Sequence, residues 1–207
     1  GGGALFALLE WNNPGTIGNL TPGGKILASL FQSVTLRTAG FASFNQDALT
    51  EASKVLSDLL MFVGGSSGST AGGVKTVTMG LVVLSAISTM RSRRQVTVFG
   101  RSISQEDIAN AVSIALLVMG LSLLGAAVIT VCDGCSFMNA IYETISALCT
   151  VGLTTGITPT LCTASKLILI VFMFFGRVGI MTIGVGCMMG DRAKERVQYA
   201  QTKVMIG

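Results

Sequence analysis

Residues 108–131 carry no charged side chain, and this run constrains the fold more than any other feature of the sequence. As a helix rising about 1.5 Å per residue it covers roughly 36 Å, enough to cross a hydrocarbon layer about 30 Å thick. Its start is marked by Ser104, Gln105, Glu106 and Asp107, an S-x-x-D cap that satisfies free N–H groups and sets acidic side chains at the positive end of the helix. The rest of the chain agrees with a lipid environment. Half of its residues are apolar and 12% are charged, against roughly a quarter charged in a soluble domain.

The basic residues gather in two places, Arg91, Arg93, Arg94 and Arg101, then Arg192, Lys194, Arg196 and Lys203. Each cluster abuts an apolar segment, so both are expected on the cytoplasmic face of a cell membrane, and no nucleic-acid partner is implied. The C-terminus is then cytoplasmic. Residues 1–10 have no basic start and are too short to span, so they read as the end of a severed helix, and the chain as a fragment of something longer.

Sliding the chain against itself by 112 positions reveals an internal repeat. Thr38, Ala39, Gly40 and Phe41 fall on Thr150, Val151, Gly152 and Leu153; Leu49, Ala52, Ser53 and Lys54 fall on Leu161, Ala164, Ser165 and Lys166; Met61, Phe62 and Gly64 fall on Met173, Phe174 and Gly176. Each unit reads as an apolar helix, a short amphipathic helix, a T-x-G turn and a second apolar helix. The short helices, about 24–35 and 137–148, cannot cross a bilayer. Re-entrant backbone at that depth is tolerated only where it lines a cavity, and the two units run parallel around it.

A potassium filter replaces the ion's water shell with inward-pointing carbonyls and needs glycine where the backbone leaves ordinary L-residue geometry. Thr150, Val151 and Gly152 match the start of T-V-G-Y-G, with Leu153 for the tyrosine and Thr154 for the second glycine; Thr38, Ala39 and Gly40 are the companion set. The plain alternative is a pair of tight turns on helical hairpins.

From Lys54 to Arg91 an apolar-rich segment would make a helix of about 55 Å, far longer than a bilayer. The interruption is Gly64, Gly65, Ser66, Ser67, Gly68, Ser69, Thr70, Ala71, Gly72 and Gly73, a composition that disfavours helix. A flexible linker is the alternative reading. Phosphate-loop spacing is missing, which argues against nucleotide binding. Arg177 occupies the position equivalent to Gly65 in an otherwise apolar helix. A midplane arginine costs roughly 2.5 to 3.5 kcal/mol, so it is expected to face the pore and to find carbonyls in the 64–73 loop, either as part of a barrier or as a tie between helices.

The runs Arg37-Thr38-Ala39-Gly40-Phe41, G-G-S-S-G-S-T-A-G-G-V-K-T over residues 64–76, and Thr150-Val151-Gly152-Leu153-Thr154-Thr155-Gly156 resemble the third filter loop, intramembrane gate loop and fourth filter loop of the KtrB/TrkH/HKT superfamily. The ending on Lys203-Val204-Met205-Ile206-Gly207 is more similar to its KtrB branch. The resemblance implies an all-α membrane protein with two parallel M1–pore loop–M2 repeats of a four-repeat potassium-channel-like pore. It divides the chain into a third repeat (1–94), a fourth repeat (95–190) and a cytoplasmic tail (191–207). It further implies potassium uptake with possible sodium coupling, a homodimer, and a KtrA-like nucleotide-binding ring docked near 91–101 and 191–207. By the same resemblance the loop and Arg177 form the constriction beneath the filter. The alternatives are a TrkH-like subunit and a non-conducting membrane scaffold.

Arg37 either repels cations at the pore or, as the favoured reading has it, pairs with a carboxylate such as Asp58 or Glu143. Lys54 and Lys166 are expected at the outer helix ends. Cys132 and Cys135 form a lone C-x-x-C with no histidine in the chain, so no metal or cofactor is expected beyond the transported ion; a disulfide among Cys132, Cys135 and Cys162 is left open. Without histidine or a carboxylate pair at catalytic spacing, no enzyme is implied.

Overall fold

The computed structural model describes residues 1–66, 71–91, 97–98 and 101–178. They form seven α-helices: α1 (Gly2–Glu10), α2 (Pro22–Thr35), α3 (Glu51–Phe62), α4 (Thr76–Met90), α5 (Gln105–Asp133), α6 (Phe137–Leu148) and α7 (Thr163–Val178). The expected all-α class needs one small amendment, a two-residue antiparallel ladder of β1 (Thr97–Val98) and β2 (Arg101–Ser102).

Hydroxyl caps set the helix starts. Thr21, Thr50 and Ser104 accept hydrogen bonds from the N–H groups of Gly24, Ser53 and Asp107, and Pro22 opens α2 where no intrahelical donor is needed. α5 ends on Gly134 in the left-handed region, φ +63°. Of the described helices, α5 is long and apolar enough to cross a membrane, and its best window has a mean hydropathy of 2.5.

Since α5 is apolar nearly all round, hydrophobicity does not choose its inner face, which is made mostly of small residues with Ile108 and Ile129 toward its ends. Ala111, Ala115, Val118, Ser122, Gly125 and Ala126 are buried, whereas Leu116, Leu124 and Val131 point outward. Small residues let neighbouring backbones approach, the packing rule of helices in lipid. At Gly125 the Phe172 ring of α7 and the Thr144 methyl of α6 occupy the space a Cβ would need. Gly125→Ala is therefore expected to cost about 1–3 kcal/mol by overpacking, read as a lowered unfolding temperature; an unchanged value would show that α7 can retreat.

The predicted break in the long apolar segment separates α3 from α4. Backbone groups released there are paired across it: Gly64 N donates to Val74 O (2.9 Å), Val74 N to Phe62 O (3.2 Å) and Thr76 N to Gly65 O (3.1 Å). Lys75 Nζ donates to Ala71 O at 2.6 Å. The ends of the loop are thus fastened side by side rather than left as open linker.

One tether recurs, its donors 112 residues apart and its carboxylates 123. Glu10, ending α1, accepts from Thr50 N (3.0 Å) and Thr50 Oγ1 (2.7 Å), while Asp133, ending α5, accepts from Cys162 N (2.6 Å) and Ser165 Oγ. The constant shift fails in the short helices. Thr35 does in α2 what Ser146 does in α6, and Gln32 what Glu143 does, each pair being 111 positions apart. The ungapped register therefore needs correcting by one residue between the short helix and its T-x-G turn.

The two short helices also differ in cover. α6 packs against α3, α5 and α7, and residues from Tyr142 to Leu148 are all buried. α2 has α1 as its main neighbour and leaves Leu27 and Val34 70% and 65% exposed.

Candidate functional site

Both T-x-G turns adopt one uncommon backbone. Thr38 and Thr150 have φ of +63° and +55°, Gly40 and Gly152 have +78° and +91°, and the intervening Ala39 and Val151 are not among the positive-φ positions. A β-branched residue at positive φ is strained and persists only when its surroundings hold it. Here the short helices do the holding: Ala39 N and Gly40 N donate to Thr35 O (3.1 and 3.2 Å), and Val151 N donates to Ser146 O (2.9 Å).

The residue after each glycine is stitched back to its helix. Thr35 Oγ1 donates to Phe41 O at 2.6 Å and accepts from Phe41 N at 2.8 Å; Ser146 Oγ donates to Leu153 O at 2.6 Å. The carbonyls of Phe41 and Leu153 are thereby engaged by protein. The turns meet at their glycines, where a Cβ on Gly40 would collide with the Val151 carbonyl oxygen and one on Gly152 would lie 3.9 Å from the Gly40 Cα.

The end of the 64–73 loop lies directly against the second turn. Gly72 N donates to Thr150 Oγ1 at 2.9 Å. A Cβ at Gly72 would strike Thr150 Oγ1 and the Cys149 carbonyl, and Gly73, φ +73°, lies against the Cys149 side chain. Glycine is required at both positions by close approach. Gly64, Gly65, Ser66 and Ala71 are described too; Ser67, Gly68, Ser69 and Thr70 lie outside the described residues, as does the 191–207 tail. Arg177, near the described end of α7, lines a cleft of about 380 Å³ together with Thr150, Gly152, Thr154 and Glu143.

One expectation about charge changes. Arg37 is exposed and pairs with neither Asp58 nor Glu143, whereas Lys54 forms an ion pair with Asp47 at 3.1 Å. Glu143 faces away from it because its oxygens accept from Thr154, Thr155 and Thr158, behind the second turn. Lys54 also donates to Asn139 at 2.9 Å, joining the two units where α3 and α6 begin, and Lys166 donates to Pro159 O near the start of α7. Cys132, Cys135 and Cys162 are free thiols, and Cys149 is buried as expected of a packing residue.

Sequence reasoning missed the polar supports behind the turns. Gln32 Nε2 donates to Gln46 Oε1 at 2.6 Å, and Tyr142 OH donates to the same oxygen at 3.1 Å. A signal was present, since Gln32/Thr35 and Glu143/Ser146 are polar pairs three residues apart on apolar helices. The 112 shift hid it by one residue.

The chain belongs to the TrkH family, whose members are cation transport proteins; the match runs over residues 3–193. Membership implies a membrane protein. It is 42% identical over 200 residues to the Ktr system potassium uptake protein B of Bacillus subtilis (strain 168), covering 97% of this chain and 44% of that protein. It is 35% identical to the protein of the same name from Vibrio alginolyticus, covering 100% and 45%. The match to the potassium/sodium uptake protein NtpJ of Enterococcus hirae is 33% identical over 211 residues and covers 47% of it. The fold resembles the crystal structure of the potassium transporter TrkH from Vibrio parahaemolyticus, with a TM-score of 0.73 at 21% identity over 91% of this chain and 41% of that one. The chain spans less than half the length of these relatives.

Proposed function

We propose that the chain forms two walls of a potassium-conducting pore in a Ktr-type uptake system, with Thr38, Ala39, Gly40, Thr150, Val151 and Gly152 presenting filter carbonyls. The observation that carries this reading is the shared φ pattern of two turns that meet at their glycines. Sign alternation along the backbone brings successive carbonyls toward one side, which a dehydrated cation requires. Higher identity to the Ktr-named relatives than to the TrkH structure favours the Ktr branch.

The two units are the third and fourth of four parallel repeats, at 1–94 and 95–190, with a cytoplasmic tail at 191–207. In the C-terminal unit the short helix is covered by α3 of the unit before it. The bare apolar face of α2 supports an equivalent preceding helix there, supplied by chain that the longer relatives possess. The remaining features of the proposal are a homodimer and a KtrA-like nucleotide-sensing ring on the cytoplasmic side. The complete protein should restore potassium uptake to cells lacking their own uptake systems. No uptake from a correctly inserted protein would favour the scaffold reading.

The cytoplasmic placement of 91–101 has a separate test. Ser92→Cys is expected to react with membrane-impermeant thiol reagents only after the inner face is opened, as the positive-inside bias requires. Labelling in intact cells would overturn the topology.

A further inference from the structure

The backbone leaving the second turn has no helix or strand of its own between Thr154 and Ile157, yet it is firmly held. Glu143, 5% exposed on α6, receives three hydrogen bonds from it and a fourth from Thr158 just beyond. Oε1 accepts from Thr154 Oγ1 (2.6 Å), Thr155 N (2.9 Å) and Thr155 Oγ1 (3.1 Å), and Oε2 accepts from Thr158 Oγ1 (2.9 Å). Its neighbour Tyr142 reaches the other way, to Gln46 behind the first turn. Gln46 and Thr158 are 112 positions apart, so adjacent residues of one buried helix hold equivalent points behind both turns.

We propose that Glu143 is a positioning residue for ion selectivity: its carboxylate fixes the exit of the second filter loop and so the carbonyls of Val151 and Gly152. This rests on the filter reading above. The loop is anchored at its entry by Gly72 N on Thr150 Oγ1 and at its exit by Glu143, with Ser146 holding Leu153 O between them. Carbonyl spacing between two anchors is only as definite as the anchors, because productive site geometry depends on the residues that support it. The first loop has a neutral counterpart, Gln32 with Gln46, so the carboxylate makes the two supports unequal. Hydrogen bonds to a charged group are the stronger kind.

The test uses the complete protein and compares potassium with sodium uptake affinity. Glu143→Leu, which removes every acceptor, is expected to lower the potassium preference about tenfold, the scale of one lost charge-assisted hydrogen bond. Glu143→Gln keeps Oε1 for Thr154 and Thr155 and can donate to Thr158, so it should stay within about threefold of wild type, the smaller effect of a neutral bond. Should Glu143→Leu not fold, Thr154→Val with Thr155→Val and Thr158→Val removes three of the four bonds from the other side and should lower the potassium preference in the same direction. Gly152→Ser, run in parallel, reports on the filter reading itself. If Gly152→Ser shifts selectivity and the clamp variants do not, the positioning role is wrong. If Glu143→Gln falls as far as the broken clamp, charge rather than anchoring is responsible and the proposal is overturned. If Gly152→Ser is also silent, the filter reading has failed first.

Discussion

Gly40→Ala in the complete protein is expected to lower the preference for potassium over sodium by about tenfold or more, the larger of two unequal effects at the paired glycines. An L-residue at φ +78° is strained by about 1–2 kcal/mol. The new methyl would also collide with the Val151 carbonyl oxygen, which then has to move. Gly152→Ala or Gly152→Ser carries the strain of φ +91°, but its Cβ has 3.9 Å to the nearest atom of the other turn. Its loss of selectivity should therefore be smaller. Relative uptake affinities for the two ions measure both variants. An unchanged ratio in well-folded Gly40→Ala protein would show that these carbonyls do not ligate the ion.

Arg177→Ala should raise potassium flux on the order of tenfold and weaken its dependence on the cytoplasmic partner. A cation about 8 Å from an incoming potassium ion would repel it by about 2 kcal/mol at an effective dielectric of 20, and Arg177, exposed on the cleft wall, is placed to act on an ion there. Arg177 lines the cleft that also holds Thr150 and Gly152, which supports a position near the ion path. Deletion within 66–71 should have the same direction of effect, because a glycine-rich loop changes conformation at low cost. Such a deletion spares Gly72 and its hydrogen bond to Thr150, so selectivity should survive while gating is lost. A purely structural arginine predicts the reverse, with poor expression and reduced flux. Normal expression with wild-type transport and intact regulation in both variants would remove the barrier idea.

Residue type along the chain was enough to reveal the lipid-compatible segment, the seven helices in outline, the break between α3 and α4, and the paired T-x-G turns. These are local properties: an uncharged run, a hydroxyl cap or a glycine cluster restricts the backbone wherever the chain goes. Ser104 capping α5 and the fastened loop ends after Phe62 show how far such signals reach.

Other features depended on which distant residues meet. The close approach of α7 to α5 depends on Gly125 against Phe172, which hydrophobicity cannot indicate on a helix apolar nearly all round. Arg37 was expected to find a carboxylate, but Glu143 is occupied by three threonines and Asp58 is buried elsewhere, so charge alone did not identify its partner. The contact of Gly72 with Thr150 joins residues 78 positions apart. The inequality of Gly40 and Gly152, alike in sequence context, arises because one Cβ direction points at a neighbouring carbonyl oxygen and the other meets nothing nearer than the Gly40 Cα at 3.9 Å. Local sequence determined where the backbone could turn; three-dimensional packing alone decided what each turn would touch.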